Sequence, residues 1–539
     1  MSVRRAQPYV TCWPSNNIDD KIDLSADVLS FTATNAITAP VGTFTVVVSP
    51  RPAGPSGLGR VDQASDLGRR IRQNAVVSIG YRFRGGIMIG LVSSVSETMS
   101  VVGGRTQRTV TISGHTMARL LTQDTIVNAL LVGPDSETFR QQVEQVVGAQ
   151  NPVLGLVTGL RGPLRGRGDD AVNTFIASSV RDVVRWILNN VPTMRLPILG
   201  TLYGDPNPGA WIYTDRTVSG QTLPNVTTWN DARIWSDALS VYNGNVWGYL
   251  TSAIDLDFYD IFLDTRRSDV GDEVPDIDLI VRPKPFDSPG WETSRTPVRE
   301  ETGLTWEDLR TRITGDEHHV LTLDVVHSAT LGVSESEIFS WYQVTCDYDP
   351  MHNSDTQAIG LAYPMIDLYA LQRWGVRPYN ARLALIGADT SKKANADDDA
   401  YTGAVIDEVI EYRNRLVNWH RYNAWLVSGS VTVDLDDDIR PGDPVYLPWA
   451  EAPVGEERGL RFYCTSVTWS WSLGMAPTST LTLTRGSNPN MIEAIKAKIR
   501  DEANVSTLST ETTDIIDDLT GQPMETIVVS LNADMLAGA

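Results

Sequence analysis

Histidines beside a carboxylate are the residues of this 539-residue chain that first suggest metal chemistry. Glu317, His318 and His319 are contiguous, and His327 follows. No HExxH zinc motif is present. On one continuous strand, His319 and His327 would share a face but lie about 26 Å apart, too far for a single ion. We therefore interpret them as polar residues at strand ends and expect no metal ion and no cofactor.

The three cysteines offer little nucleophilic chemistry. Cys12, Cys346 and Cys464 are far apart, and the chain contains no C-x-x-C pair. This pattern is typical of small buried residues in a reducing compartment rather than of a disulfide or zinc framework. Cys464 lies in a predicted strand and Cys346 lies beside an acidic turn, so neither is favoured as a catalytic thiolate.

Carboxylates are abundant enough to allow a glycosidase, which needs only two of them at the right separation. Three acidic clusters are candidates: Asp272–Asp278, Asp397–Asp399 and Asp434–Asp438. Each lies in a turn-like context, where solvated turns or occasional cation sites are the ordinary explanation. The Asp434 cluster lacks the glycine and distal glutamate of a calcium loop. We expect no catalytic residues here.

A structural role is favoured for the pair Gly442 and Asp443. The sequence Pro441-Gly442-Asp443 predicts a tight turn before a strand at Val445–Leu447. The Asp443 carboxylate can accept a hydrogen bond from the backbone of that turn.

Composition and charge bound the class of protein. Hydrophobic residues make up 42% of the chain and charged residues 21%, which is typical of a soluble multi-domain protein. A net charge of −21 argues against a protein that grips nucleic acid. It is compatible with a channel that DNA slides past, and equally with solubility alone. No apolar run could span a bilayer and no secretory signal is recognisable, so we expect a cytoplasmic protein without membrane contact.

Two distant stretches look like copies of one β-unit. Three pairs of segments align in order: Ile71–Ile79 with Ile439–Leu447, Gly90–Ser96 with Tyr463–Trp469, and Thr109–Gly114 with Thr480–Gly486. Chance similarity between β-meanders is the competing explanation, because they share alternation and glycine turns. If the repeat is real, one chain supplies two similar β-domains and a ring of three chains displays six.

Periodicity predicts the other elements. Val77, Ile79 and Tyr81 alternate with polar or small residues and predict a half-buried strand. Further predicted features are a strand at Thr43–Val48, a turn at Gly85-Gly86, a strand at Ile87–Ser96, a turn at Gly103-Gly104, and helices at Thr116–Leu131, Ala171–Asn190, Val405–Trp419 and Asn490–Glu502.

These elements predict an α+β chain that is mainly β, with several domains. Residues 1–117 form a first β-domain and 118–255 a helical or mixed insertion. A mixed α/β domain covers 256–425 and contains part of the second β-region. The second copy of the β-unit, a β-barrel, covers 426–487, and 488–539 holds a helix followed by an acidic tail.

Four collinear segments resemble the baseplate hub proteins of contractile-tailed bacteriophages. They are FYDIFLDT…DIDLIVRPKPF, with Phe258, Asp260, Arg282, Pro283, Pro285 and Phe286; His318–Thr345; YPMIDLYALQRWGVRPYNA, with Gly375, Arg377 and Pro378; and the C-terminal β-copy, with Gly442 and Asp443. The resemblance spans roughly 70–486, except for 120–255. It implies two domains folded like the tail-tube protein, as β-barrels or sandwiches, and a role in interdomain packing for the residues of the first segment.

The same resemblance implies a non-enzymatic homotrimer at the tip of the tail tube. Its pseudo-sixfold ring would join the hexameric tube protein to the trimeric central spike and surround the DNA channel. Other baseplate proteins and the tape measure protein are further expected partners, and DNA would pass without specific binding. The expected location is the virion baseplate, after assembly in the host cytoplasm.

Two alternatives remain open at this stage. Some hubs carry or recruit a peptidoglycan hydrolase, and such an activity could lie within 120–255. A carbohydrate-binding host-recognition protein is suggested by Trp211, Trp229, Trp235 and Trp247, although such tryptophans are more often core residues.

Overall fold

The computed structural model describes eight parts of the chain. They are 7–49, 70–126, 216–223, 244–266, 276–283, 319–347, 364–384 and 412–505, with short gaps at 16, 82–84, 103–104, 124, 219–220, 253–255, 258, 336, 415, 436–437 and 456–457. The predicted helix Ala171–Asn190, the turn at Gly103-Gly104 and the acidic tail lie outside the described residues. So do Trp211, Trp229 and Trp235.

The described residues are mainly β, which confirms the predicted fold class. The first strands are β1 (Pro8–Trp13), β2 (Ile22–Asp23), β3 (Val28–Ala36), β4 (Thr43–Val48), β5 (Val76–Tyr81), β6 (Gly85–Val102), β7 (Arg105–Thr116), β8 (Thr125–Ile126), β9 (Arg216–Val218), β10 (Gln221–Leu223) and β11 (Gly244–Asn245). The others are β12 (Tyr259–Arg266), β13 (Asp276–Pro283), β14 (His319–Val320), β15 (Val326–Val333), β16 (Trp341–Asp347), β17 (Met365–Ile366), β18 (Pro378–Ala384), β19 (Val427–Asp434), β20 (Pro444–Glu451), β21 (Arg458–Ser472) and β22 (Thr478–Ser487).

Helices are short apart from the last one. They are α1 (Arg119–Gln123), α2 (Val246–Ser252), α3 (Leu368–Trp374) and α4 (Pro489–Val505), and 412–420 is also helical around the gap at 415. The predicted helix Thr116–Leu131 is wrong in length, because the backbone turns into β8 after Gln123. None of the described helices is long and apolar enough to cross a bilayer.

One 13-stranded sheet organises the chain. Its order is β15-β19-β22-β21-β3-β4-β7-β6-β5-β1-β2, and β20 joins it between β21 and β14. All its pairings are antiparallel except β14 with β20. The core contains large buried side chains from both ends of the sequence: Trp13, Phe31, Phe44, Tyr81, Phe462 and Trp469.

Strand β5 differs from its prediction. All six of its residues are buried, Ser78 included, so it is not a half-buried strand. It lies between β1 and β6 in the sheet, and both of its faces are covered. The predicted turn at Gly85-Gly86 is also wrong, because both glycines belong to β6 and pair with Tyr81 and Gly80.

Five strands of each half of the chain follow one plan. The first repeat runs β3-β4-β7-β6-β5 across the sheet, and the second repeat runs β15-β19-β22-β21-β20. Both repeats carry register shifts at the same two places: Val28/Ser30 and Val326/Ser328, then Val92/Ser94 and Cys464/Ser466. Because bulges are specific local features, this agreement goes beyond generic strand alternation.

The same turn precedes the hairpin of β5 and β6 in the first repeat and the hairpin of β20 and β21 in the second. Asn74 has φ +63° and Gly442 has φ +94°, the left-handed region that Gly and Asn tolerate best. The Asn74 N–H donates to the Val92 carbonyl at 2.8 Å, and the Gly442 N–H donates to the Cys464 carbonyl at 2.6 Å. These bonds make Val92 the counterpart of Cys464.

The pairing corrects the sequence alignment inside the repeat. Val92 corresponds to Cys464, so aligning Gly90 with Tyr463 is displaced by one residue. Gly114 pairs with Val92 while Leu483 pairs with Cys464, so the closing glycines are not equivalent. Strings of Ser, Thr and Val resemble one another at several offsets, whereas backbone pairing fixes one register.

The chain divides into two compact units. The first is Met1–Glu493 and contains every strand described above. The second begins at Ala494, and its described residues are the remainder of α4. The start of α4 is explained by its sequence: Asn488 Oδ1 accepts a hydrogen bond from the Met491 N–H at 2.7 Å, and Pro489 occupies the first helical position.

Candidate assembly site

The hairpin of β12 and β13 holds three of the residues predicted to pack domains together. Asp260 lies opposite Arg282, and Tyr259 lies opposite Pro283, in a regular antiparallel ladder. Asp260 is 4% exposed and accepts a hydrogen bond from the Tyr463 hydroxyl. Phe258, Pro285 and Phe286 lie outside the described residues.

This hairpin contacts both repeats. Tyr463 belongs to β21 of the second repeat, so its bond to Asp260 ties the hairpin there. Asn35 of β3 is buried, and its Nδ2 donates to the Leu263 carbonyl at 3.1 Å. A buried amide or carboxylate is costly unless it is hydrogen-bonded, so these two bonds fix where the hairpin lies.

Gly375 and Arg377 meet around one buried serine, and Pro378 follows them in the chain. The Ser340 hydroxyl donates to the Gly375 carbonyl at 2.8 Å and accepts from the Arg377 N–H at 2.8 Å. Gly375 ends α3 with φ +76°, and Pro378 begins β18, which pairs in parallel with β16. The Arg377 guanidinium donates to the Glu335 carbonyl at 2.7 Å. These residues join a helix end to a strand and contain no reactive arrangement.

Gly442 and Asp443 form the turn before β20. Asp443 Oδ2 accepts from the Arg440 N–H at 2.8 Å, and the Asp443 N–H donates to the Arg440 carbonyl at 3.2 Å. The strand starts at Pro444. The carboxylate is therefore used by the turn itself.

The histidines lie on two separate strands. His319 in β14 lies 3.4 Å from Asp443, whereas His327 in β15 lies 2.7 Å from Asp434. The premise of one continuous strand is wrong, because a turn separates β14 from β15. Within the residues that the structure describes, no group of His, Cys, Asp and Glu could hold a metal ion.

Two of the cysteines are buried thiols. Burial raises the pKa of Cys12 to about 12 and raises the pKa of Cys464 well above its ordinary value. Both side chains are fully buried, so they pack as small apolar groups. Trp247 is also a core residue, only 8% exposed, which removes it as a glycan-stacking side chain.

A cavity of about 730 Å³ has polar residues in its lining. Tyr379 donates its hydroxyl hydrogen to Asp257. Arg485 donates to the Trp419 carbonyl at 3.0 Å and lies 4.4 Å from the centre of the Trp419 ring. Burial lowers the pKa of Arg485 to about 10. The contacts of Arg485 with Trp419 join the helical segment 412–420 to β22.

The two repeats are joined by a seam, which we define as the pairing of Ser466–Ser472 in β21 with Ser30–Ala36 in β3. Thr34 and Thr468 share a hydrogen bond of 3.0 Å between their hydroxyls. The Phe31 and Trp471 rings stack with centroids 6.4 Å apart. The seam makes both repeats one continuous sheet.

Sequence reasoning missed two strand edges that correspond to this seam. Within the described part of the chain, β15 pairs only with β19, although its counterpart β3 pairs on both sides. The C-terminal half of β6 likewise pairs only with β7, although its counterpart in β21 pairs with both β22 and β3. They could have been found from the sequence by aligning each strand of the first repeat separately with its counterpart in the second repeat and comparing their neighbours.

The exposure of the two edges agrees with the missing partners. Asn35 in β3 is 5% exposed, while its counterpart Val333 in β15 is 53% exposed. Met99, the counterpart of Trp471, is 60% exposed. Two exposed strand edges of this kind are places where another chain can add to the sheet.

No protein family and no curated protein matches this chain. Several solved structures of tail proteins are similar to it. A tail protein from Neisseria meningitidis MC58 is 10% identical with a TM-score of 0.40, over 88% of this chain and 96% of that one. The 43 kDa tail protein of prophage MuSo2 from Shewanella oneidensis is 9% identical with a TM-score of 0.40, over 90% and 98%.

A component of the E. coli type VI secretion system, itself structurally similar to T4 bacteriophage tail proteins, is 11% identical with a TM-score of 0.36, over 86% of this chain and 77% of that one. TM-scores below 0.5 do not establish a shared fold.

Proposed function

We propose that this chain is a structural hub protein of a phage tail baseplate. The observation that carries the proposal is the duplicated five-strand unit, whose copies share their strand order, two bulges and their opening turn. A chain with two similar units is suited to sit between a sixfold and a threefold object, because three copies present six units. The hub resemblance of the four sequence segments points the same way.

In this proposal three chains close a pseudo-sixfold ring in a contractile tail. One side of the ring meets the hexameric tube protein, and the other meets the trimeric spike. Other baseplate proteins and the tape measure protein are the remaining partners, DNA passes through the channel unbound, and assembly takes place in the host cytoplasm.

The proposed domains keep the boundaries 1–117, 118–255, 256–425, 426–487 and 488–539. In this scheme the β12–β13 hairpin is the brace between repeats. The bond from Tyr463 to Asp260 and the bond from Asn35 to Leu263 support that role. The residues around Ser340, and the turn at Gly442 and Asp443, act as local structural links.

Light scattering followed by class averages of negatively stained particles tests the proposal. The expected mass is three times the 59.2 kDa of one chain, and the expected image is a ring with six similar lobes. The same preparation should leave a peptidoglycan zymogram uncleared. A stable dimer, or a compact monomer that clears the zymogram, would contradict the proposal.

A further inference from the structure

The internal seam supplies a template for a contact between copies of the chain. In the seam, β21 of the second repeat pairs with β3 of the first. In the other repeat, the counterpart of β21 is β6 and the counterpart of β3 is β15. In the described part of the chain, one edge of β15 has no partner, and neither does the edge of β6 beyond the residues that pair with β5. β15 is one end of the sheet order, whereas β6 lies within it, between β7 and β5, so the two edges are different surfaces of one chain.

We propose that β6 of one chain pairs antiparallel with β15 of the next copy, with Thr98 opposite Thr330. The inference rests on the proposed ring and adds to it the contact surface and its register. It follows from carrying the seam pair Ser470–Thr32 through the repeat. Ser470 pairs with Thr478 as Thr98 pairs with Thr109, and Thr32 pairs with Thr45 as Thr330 pairs with Ser430.

The chemistry of both faces fits this register. On one face the seam carries hydroxyl pairs such as Thr468 with Thr34, and the new contact places Thr98 against Thr330. On the other face the seam carries Trp471 against Phe31, and the new contact places Met99 against Ala329. Cross-strand pairs of like character stabilise antiparallel sheets.

The proposed contact is head-to-tail. Each chain offers one β6 edge and one β15 edge, which are different surfaces, so repeated pairing either closes a ring or grows a filament. In a closed ring every new contact alternates with an internal seam. No strand edge of either kind is then left to template aggregation.

Hydrogen-bonding parity selects the residues for a disulfide test. The Leu473 N–H donates to the Leu29 carbonyl, so Leu473–Leu29 is a bonded pair. Bonded and non-bonded pairs alternate, which makes Ser470–Thr32 a non-bonded pair with closely spaced side chains. As the counterparts of Ser470 and Thr32, Thr98 and Thr330 would also form a non-bonded pair, and both are exposed in the single chain. Such pairs have Cβ atoms about 4.5–5.5 Å apart and can reach disulfide geometry with slight adjustment.

The experiment mixes two differently tagged variants, Thr98→Cys and Thr330→Cys, under mild oxidation. We expect a two-chain disulfide product from the mixture and none from either variant alone. A chain carrying both substitutions should give a covalent ladder that stops at three chains. Thr32→Cys with Ser470→Cys is the matched control, since it forms the equivalent bond within one chain. Thr98→Cys with Ala329→Cys places the thiols on opposite faces and should not crosslink.

A proline variant gives a second readout. Phe31 and Trp471 are a bonded pair by the same parity, so the N–H of the Phe31 counterpart, Ala329, points to the open edge. Ala329→Pro should therefore abolish assembly and leave the far-UV circular dichroism spectrum of the chain unchanged, because proline is tolerated where the N–H is not used by the ladder. Assembly that survives Ala329→Pro would overturn the proposed contact.

The outcomes separate the contact from the ring. A trimer without the Thr98–Thr330 disulfide, while the internal control crosslinks, overturns the contact and leaves the proposed function intact. A disulfide ladder that continues beyond three chains supports the contact and overturns the closed trimer. Particles that neither crosslink nor exceed the mass of one chain overturn both.

Discussion

At the scale of single residues, the duplication is best seen where side chains differ. Asn74 and Gly442 hold the same left-handed turn, although one carries a side chain and the other does not. The following residues are Ala75 and Asp443, and the carboxylate of Asp443 adds a bond to Arg440 that alanine cannot make. The two repeats therefore share the backbone conformation of this turn but differ in the side-chain hydrogen bonds that stabilise it.

Asp367 is the residue whose ionisation we expect to affect stability. It caps α3, where its Oδ1 accepts from the Ala370 N–H at 3.0 Å, and burial raises its pKa above the ordinary value. The folded state therefore binds its proton more tightly than the unfolded state. The stabilising contribution is present at low pH and is lost as pH rises above the unfolded value of about 4.

Asp367→Asn removes this titration and keeps a side chain that can cap the helix. The variant should gain stability relative to the parent as pH rises from 4 towards neutrality. Urea unfolding midpoints across that range measure the difference, with the exposed Asp19→Asn as control. Parallel profiles of parent and Asp367→Asn would refute the assignment.

The residue alignment shows what sequence alone could give. The turn pair Ile71–Ile79 and Ile439–Leu447 was found in the correct register, because Ile and Arg recur at matching positions before the turn. The next pair was placed one residue out, because Ser93 and Thr465 are bulged and the flanking residues are nearly interchangeable. Where a bulge sets the register, backbone hydrogen bonds decide it, and no particular residue type marks the position of the bulge in the sequence.

At the scale of elements, the two repeats carry an aromatic residue on different strands at equivalent positions of their sheets. In the first repeat Phe44 of β4 lies over Gly90 and Gly114, where added Cβ atoms would come within 2.8 and 2.3 Å of its ring. The counterparts in the second repeat are Gly429, Phe462 and Leu483. The large residue has moved from one strand to another, and a glycine has moved the opposite way.

The close contact between Gly486 and the Phe462 ring predicts a coupled pair in the second repeat. A Cβ at Gly486 would meet the Phe462 ring at 2.1 Å, so Gly486→Ala should cost about 1–3 kcal/mol through overpacking. Phe462→Leu should also destabilise by leaving a small void. The double variant should recover about 1 kcal/mol or more relative to the sum. Urea unfolding of the four proteins gives this coupling energy, and strictly additive losses would show that the ring is not what opposes the methyl group.

The predictions for individual strands were wrong where adjacent strands in the sheet determine the burial or the extent of a strand. The alternation in β5 predicts one polar face, yet Ser78 is buried because both faces of this strand are covered. Gly85 and Gly86 have turn-forming types, but the ladder to β5 includes them. By contrast β4 was placed at its observed bounds, because its burial alternates as its sequence does. The unpaired edges of β6 and β15 could not be predicted from the sequence of either strand. They are recognisable only because the equivalent strands β21 and β3 pair with each other.

At the scale of the whole molecule, the order of strands explains why the fold class is predictable from the sequence while the arrangement of the two repeats is not. The first and second repeats were recognisable from their hairpins. Their first two strands, β3 with β4 and β15 with β19, are separated by very different lengths of chain, six residues in one case and over ninety in the other. An insertion inside a repeat hides its first strand from any comparison of contiguous segments. The seam between repeats was equally hidden, because β3 and β21 lie at opposite ends of the sequence.

The net charge of −21 leads to a prediction about the assembled protein. Binding of duplex DNA depends on cations that displace counterions from phosphate, and it is strongest at low salt. A hub that lets DNA pass should repel it, and three copies in a ring repeat the same acidic charge. We expect no change in the anisotropy of a short labelled duplex at about 50 mM salt, a condition in which a basic protein of similar mass binds readily. A rise in anisotropy at low salt that disappears near 200 mM would reveal a basic track along the chain, and it would contradict free passage of DNA through the proposed channel.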